Sequence, residues 1–246
     1  MQMLNYSIQM TGKVRSDKAN LALGVWLALV AGMVNSGGFL AFKTYTSHMT
    51  GLVSSMADNL VLGEFTLVGA AALAVFSFLL GSITTALLVS FSRRRRLESL
   101  YAFPLLLEAF LLLMFGAIAS GMEVKPTLLF TGGVATLGYM MGLQNAVITK
   151  ISGSVVRTTH VTGMITDLGI ELGKLLYRNG NNRPRELPVL ADRAKISALA
   201  LLVGSFFVGG VVGAVGFLAL SFWFVLPVAA LLLILSIGPL VKDLFD

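Results

Sequence analysis

Two stretches of the sequence carry polar side chains that could bind a small solute, although apolar segments surround both. In the second stretch, residues 142–174, the motif His-Val-Thr-Gly begins at His160. In the first, residues 32–59, His-Met-Thr-Gly begins at His48, and the chain has no other histidine. Imidazole and hydroxyl groups both donate and accept hydrogen bonds. The paired motifs therefore predict one site for a polar solute, built from both stretches.

Further polar residues stand near each motif and complete the candidate site. Amides and hydroxyls add donors and acceptors, glycines permit close approach of backbone, and an arginine adds a fixed positive charge. The candidate substrate-binding residues are Asn35, Ser47, His48, Thr50, Gly51, Gln144, Asn145, Arg157, Thr158, Thr159, His160, Thr162 and Gly163.

Simpler roles stay open for several of these residues. Ser47 and Thr158 could be ordinary helix N-caps. The histidines could be buried and merely hydrogen-bonded, and Arg157 could extend to the membrane interface. A metal site lacks a third strong ligand, no nucleophile-base pair is evident, and no cofactor motif is present, so neither a metal centre nor an enzyme is predicted.

Acidic residues provide candidates for proton coupling. Glu108 stands in an apolar segment, where an ionisable side chain is costly and its default interpretation is functional. Asp167 and Glu171 are one helical turn apart and could instead pair with Arg157 or Lys174. Asp58 is the weaker equivalent in the first stretch.

The composition determines which class of protein can position such residues. Hydrophobic residues make up 56% of the 246 positions and charged residues only 12%, whereas a soluble domain carries about 25% charge. This predicts an all-α integral membrane protein. The net charge of +6 does not indicate nucleic-acid binding, because the basic residues flank apolar segments.

Six apolar segments predict six transmembrane helices in a single membrane domain, residues 1–246. They are residues 21–42, 65–91, 100–120, 127–149, 198–220 and 222–241. With six crossings, most lysines and arginines share one side, including the N-terminal segment 1–20, residues 93–96 and the loop 178–195. The positive-inside rule then places both termini in the cytoplasm.

The chain also divides into two similar halves, residues 21–122 and 126–241. Four short motifs recur in the same order: Gly32 and Asn35 with Gly142 and Asn145, His48 to Gly51 with His160 to Gly163, Phe78 and Gly81 with Phe206 and Gly209, and Pro104 with Pro227. Three spans in each half make the two repeats inverted relative to one another, as in many transporters.

Each polar stretch has the length of a re-entrant element. A helix from Thr50 to Leu62 spans about 20 Å, too short for a hydrocarbon core of about 30 Å. The same holds for a helix beginning at His160 and ending near Tyr177, preceded by residues 150–159. Two broken helices whose N-termini converge would present free N–H groups and positive dipole ends to an anionic or polar solute.

The segment GLQNAVITKISGSVVRTTHVTGMITDLGIELGK resembles the signature of the YoaK-type bacterial membrane proteins, a family of unknown function. The resemblance covers nearly the whole chain and implies a bacterial inner-membrane location, but no substrate. Members usually carry Asn after the Gly of the first motif, where this chain has Leu52. We therefore expect the second half to carry most of the specificity.

The function expected is transport of a small polar or anionic solute, with proton coupling left open. A passive channel of the same architecture, or a non-transporting sensor or assembly protein, are the alternatives. The partners expected are the solute and membrane lipids, with homo-oligomerisation undecided and nucleic acid excluded.

The six-span topology makes a prediction about sidedness. Reporter domains fused after Arg96 and after Met122 are expected on opposite sides of the membrane, cytoplasmic and external respectively. Activity of both fusions on the same side would contradict the inverted arrangement.

Overall fold

The computed structural model describes residues 2–13, 15–43, 45, 47–120, 126–151, 160–179 and 188–245. Within these residues the chain is helical apart from turns and linkers, and it contains no strand. The predicted all-α class is therefore confirmed.

The helices follow the apolar segments of the sequence. They are α1 (Gln2–Thr11), α2 (Asp17–Phe42), α3 (Met49–Leu62), α4 (Phe65–Arg95), α5 (Ala102–Ser120), α6 (Pro126–Ile151), α7 (Val161–Leu176), α8 (Arg193–Leu220) and α9 (Val225–Phe245), with a 3-10 turn at Ser221–Phe224. Each of the six predicted spans coincides with one helix: α2, α4, α5, α6, α8 or α9.

Four stretches among the described residues are long and apolar enough to cross a membrane. They are Asp17–Phe42, Phe65–Arg95, Ala102–Ser120 and the continuous run Arg193–Phe245, which contains α8 and α9. Helix α6 is as long as α2 but carries Gln144, Asn145 and several glycines. These residues lower its hydropathy, and most of its described part is buried by other helices.

Two helix pairs, α2 with α8 and α4 with α6, are in very close contact through glycine. A Cβ atom at Gly32 would overlap the carbonyl oxygen of Phe206, and one at Gly142 would overlap that of Phe78. In the same two crossings, Gly209 lies against Leu29 and Gly81 against Tyr139. Such contact between backbones is typical of helix packing in membranes. Small residues allow the backbones to approach closely, and the resulting van der Waals contact holds the helices together where no hydrophobic driving force acts between them.

Helix α1 lies in the N-terminal segment 1–20, where no helix was predicted. It packs against α9 at Pro239, which lacks the N–H group that would otherwise donate to the carbonyl of Leu235. The hydroxyls of Ser7 and Thr11 donate to this carbonyl instead, each at 2.8 Å. The backbone N–H of Gly238 in turn donates to Ser7 Oγ at 3.0 Å. Tertiary hydrogen bonds thus satisfy the backbone that the proline leaves unpaired.

The short helices α3 and α7 each pack beside the long helix that follows them. Helix α3 turns into α4 through Gly63, whose φ of 77° suits glycine. Helix α7 packs against α8, and the carboxylate of Glu171 accepts a hydrogen bond from the backbone N–H of Asp192, the N-cap of α8, at 3.0 Å. Both short helices are thereby held alongside the long helices that follow them.

The glycine crossings predict a position-specific response within one helix. Gly81→Ala should lower the free energy of unfolding by about 1–3 kcal/mol, because the added methyl group meets the backbone of α6. Gly69→Ala, also in α4, meets open space and should be neutral or stabilising because alanine favours helix. Unfolding of the purified protein in detergent measures both, and equal effects would contradict the packing argument.

Candidate functional site

The first turns of α3 and α7 line the same cavity, which has a volume of about 940 Å³. Its described walls come in equal numbers from the two halves of the chain. They are Asn35, Tyr45, Ser47, His48, Met49, Thr50, Phe78 and Ser82 from the first half, and Asn145, Ala146, Thr149, Lys150, His160, Val161, Thr162 and Phe206 from the second. The structure thus brings together polar residues that the sequence separates by more than 100 positions.

The two short helices begin in the same way. His48 and His160 occupy the N-cap positions with similar backbone angles, φ −92° and ψ 70° for His48 and φ −85° and ψ 55° for His160. Neither side chain caps its own helix, and the first helical hydrogen bonds run from Leu52 to His48 and from Met164 to His160. The N–H groups before these bonds have no partner within the helix, and four of the residues that carry them, Met49, Thr50, Val161 and Thr162, line the cavity.

Gly51 and Gly163 have an indirect role. Neither lines the cavity, but a Cβ atom at either position would overlap the imidazole of the histidine three residues earlier. Each glycine therefore leaves room for the histidine ring to lie over the first turn of its helix. Room for the histidine ring explains why glycine follows three residues after histidine in His-x-Thr-Gly. The explanation expected from the sequence, that glycine lets the backbone approach a solute, does not account for this spacing.

The hypothesis that Ser47 is the N-cap of the first short helix is wrong, because His48 holds that position. Ser47 Oγ instead donates to Asn35 Oδ1 at 2.9 Å. This bond connects the linker before α3 to the wall formed by α2. Arg157, Thr158 and Thr159 lie outside the described residues.

Gln144 does not reach the cavity, although its neighbour Asn145 does. The Gln144 side chain is fully buried and donates from Nε2 to Glu108 Oε1 at 2.8 Å. Glu108 is also fully buried, and its Oε2 and the Gln144 Oε1 have no partner in the described part of the chain. A proton on Glu108 Oε2 would satisfy both atoms, since the acid could then donate to the amide oxygen.

The cavity carries positive and neutral polar groups. Lys150 lies at its wall with the two histidines, and its described lining contains no carboxylate. The N-termini of α3 and α7 add the positive ends of two helix dipoles. The arrangement favours an anion or the negative end of a polar molecule.

A family model described as protein of unknown function (DUF1275) matches residues 23–238. The chain belongs to this family. The match confirms the resemblance to the YoaK-type proteins. No curated protein and no solved structure matches the chain. The region matched by the DUF1275 family contains both short helices and every described residue of the cavity wall.

Leu52, where the resemblance implies an asparagine, does not touch the cavity. Leu52 packs against the main hydrophobic core and is absent from the described lining. The expected weakness of the first half is therefore not visible in the described wall, to which both halves contribute equally. The second half does supply the only lysine among the described lining residues, Lys150.

The other acidic candidates lie away from the cavity wall. Glu171 pairs with Lys174 at 2.9 Å and with Lys195 at 3.8 Å, and Asp167 pairs with Lys195 at 3.6 Å. Asp58 is exposed on α3, nearly three turns from His48. The alternative of pairing with Lys174 is confirmed for Glu171, whereas Asp167 pairs with Lys195, which was not expected. The pairs with Lys195 join α7 to α8.

Sequence reasoning missed most of the cavity wall outside the two histidine motifs. Phe78 and Phe206 were recognised only as repeated positions, and Tyr45, Ser82, Thr149 and Lys150 were not among the candidates. The repeat could have identified Phe78 and Phe206 as wall residues, because each stands three residues before a glycine of a helix crossing, Gly81 or Gly209.

The contacts of Glu171 predict a dependence of stability on pH. The hydrogen bond from the Asp192 backbone and the neighbouring Lys174 hold the pKa of Glu171 below its ordinary value of 4.5. The folded protein therefore loses stability as pH falls below about 4.5, since the unfolded chain binds the proton more readily. Glu171→Gln should lower the melting temperature at neutral pH and reduce its fall on acidification.

Glu64→Gln is the matched control for this measurement, because Glu64 is exposed and has no ion pair among the described residues. It should leave the acid-dependent part of the melting curve unchanged. An unaltered curve for Glu171→Gln would show that the contacts of Glu171 do not stabilise the fold.

Proposed function

We propose that the protein is a transporter of a small anionic solute, and that it binds this solute between the N-termini of α3 and α7. The proposal rests on one observation above all. A single cavity is lined by both helix N-termini, both histidines and Lys150, and its described lining has no carboxylate. An anion could accept hydrogen bonds from the N–H groups that have no partner within their helices, without facing a like charge from the described lining.

The size of the cavity supports a small solute. About 940 Å³ is at the upper end of the range found for ligand pockets, about 300–1,000 Å³, and is too small for a macromolecule. Phe78 and Phe206 supply apolar walls, while amide and hydroxyl groups from Asn35, Asn145 and Thr149 could orient the solute.

The architecture that fits this site has six membrane spans in two inverted repeats. In support, the crossing of α2 with α8 and that of α4 with α6 use residues at equivalent positions of the two halves. Helix α3 has 14 residues and α7 has 16, which correspond to about 21 and 24 Å, so neither crosses a core of about 30 Å. Both would act as re-entrant elements whose N-termini lie near the midplane.

In this arrangement the protein lies in the bacterial inner membrane with both termini in the cytoplasm. The arginines 93–96 and the loop 178–195 then lie on the cytoplasmic side, as the positive-inside rule requires. The first half-helix would be reached from outside and the second from the cytoplasm.

Glu108 is the carboxylate best placed to couple transport to protons. It is fully buried and bonded to Gln144, and the next residue, Asn145, lies at the cavity wall. Loss of its proton would leave an unpaired charge in the core, so α5 and α6 would have to rearrange near the solute. Asp167 and Glu171, already paired with lysines, are weaker candidates for this role.

Anion binding can be tested by thermal stabilisation of the purified protein with a panel of small anions, including carboxylates, sulfate and phosphate. Wild-type protein should be stabilised by at least one of them. His160→Ala and Lys150→Gln should each weaken its apparent affinity about tenfold or more, because each removes a hydrogen-bonding or charged partner of the anion.

Lys18→Gln is the charge-matched control, since Lys18 is exposed and outside the described lining. It should bind the anion as wild type does. An equal loss of anion affinity in Lys18→Gln and Lys150→Gln would show that net charge, and not the cavity, determines binding. Stabilisation unaffected by both cavity variants would place the site elsewhere.

The transport step is tested with the same anion in proteoliposomes. Wild-type protein should exchange labelled for unlabelled anion and accumulate it under a pH gradient. Glu108→Gln should retain exchange but lose accumulation, because glutamine cannot release a proton. Accumulation of the anion by this variant would exclude Glu108 as the coupling residue. Net flux of labelled anion that depends neither on unlabelled anion on the other side nor on the pH gradient would indicate a channel.

A further inference from the structure

A second cavity, of about 330 Å³, lies at the end of α4, away from the candidate solute site. It is enclosed by the linker after α1, the first turn of α2, the last turn of α4 and the segment that leads into α5. Its lining residues are Lys13, Arg15, Asn20, Arg93, Arg96, Leu97, Leu100 and Tyr101, none of which lines the larger cavity.

The charge of this cavity is strongly one-sided. Four of its lining residues are basic, and none is acidic. Within the described part of the chain, no ion pair involves Lys13, Arg15, Arg93 or Arg96. Four positive groups that converge without a counter-charge repel one another, so an anion bound among them would be stabilised.

Arg15 is held in place by protein groups. Its guanidinium lies 4.2 Å from the centre of the Tyr101 ring and donates to the carbonyl of Met10 at 3.2 Å. Burial lowers the pKa of Arg15 below its usual value, an effect that Tyr101 opposes. The guanidinium is therefore partly removed from water, and a bound anion would replace some of the lost hydration.

Asn20 adds an acceptor that has no donor. Its Oδ1 is buried without a hydrogen-bond partner among the described residues. A fully ionised inorganic anion such as sulfate would not satisfy this atom, because it has no hydrogen to donate. A ligand that carries both a phosphate and a hydroxyl group would satisfy the basic residues and Asn20 together.

The position of the cavity relates it to a lipid bilayer. The exposed apolar face of α4 includes Leu87 and Phe91 and ends at the arginines, so the cavity lies at the boundary between apolar and basic surface. Leu97 and Leu100 give the cavity itself an apolar side. A ligand with a charged head and acyl chains fits such a boundary, where basic pockets bind acidic lipid headgroups.

We propose that this cavity binds the headgroup of an anionic phospholipid, with its phosphodiester among Lys13, Arg15, Arg93 and Arg96 and a headgroup hydroxyl donating to Asn20. Phosphatidylglycerol has this chemistry. The site fixes α1, α2 and α4 to one another at the membrane surface, and it is independent of the solute proposed above.

The test uses thermal unfolding of the full-length protein in detergent micelles supplemented with lipid. Phosphatidylglycerol should raise the melting temperature, phosphatidylcholine should not, and phosphatidic acid, which lacks the headgroup alcohol, should act more weakly. Arg93→Gln combined with Arg96→Gln should reduce the phosphatidylglycerol shift by about half or more. Asn20→Ala should remove the difference between phosphatidylglycerol and phosphatidic acid.

The run of arginines supplies a matched control. Arg94 and Arg95 do not line the cavity, so Arg94→Gln combined with Arg95→Gln removes the same charge and should keep the full shift. Equal losses in the two double variants would overturn the site in favour of general surface charge. If inorganic phosphate alone reproduces the shift, the site takes free phosphate, and the lipid proposal is overturned. If Arg93→Gln with Arg96→Gln does not fold, Lys13→Gln provides the same comparison.

Discussion

Close contact between backbones in two helix crossings determines the rest of the structure. Where Gly32 meets the carbonyl of Phe206, α2 and α8 are joined, and where Gly142 meets that of Phe78, α4 and α6 are joined. One turn from each glycine, Asn35 and Asn145 lie at the cavity wall, as do the two phenylalanine side chains. In each repeated motif the glycine packs the helix crossing and the asparagine lines the cavity. A change in the packing of the crossing would therefore also move a residue of the cavity wall.

The half-length of α3 and α7 has a physical consequence for the chemistry of the cavity. The first N–H groups of a helix have no partner within that helix, so they require partners from elsewhere. The histidine side chains do not provide them, since neither caps its helix. These N–H groups are therefore able to donate to a ligand, as we propose for the solute. This is the reason that we favour an anion, and not merely a polar molecule, as the solute.

Local pattern was enough to predict the six long helices and the starts of the two short ones, which fall within one residue of Thr50 and His160. It could not predict α1, because that helix depends on a carbonyl freed by Pro239 more than 200 residues away. The partners of Ser47 and Gln144 were also out of reach, since Asn35 and Glu108 become neighbours only through packing. The matched motifs predicted which two stretches form the candidate site. Tertiary contacts, which the sequence does not reveal, determine which residues of those stretches line the cavity.

The two halves differ most where α1 is added. Helix α5 packs against α6 and α9, whereas α9 packs mainly against α5 and α1. Helix α1 therefore covers a face of α9 that in the other half is covered by a long helix. The linker after α1 then brings Lys13 and Arg15 to the end of α4, beside Arg93 and Arg96. The basic cavity depends on this addition, because Lys13 and Arg15 lie in the linker that follows α1. If the basic cavity binds lipid as proposed, the membrane surface holds the first half of the chain in place, and we expect the movements that transport would require to be largest in the half that contains α7.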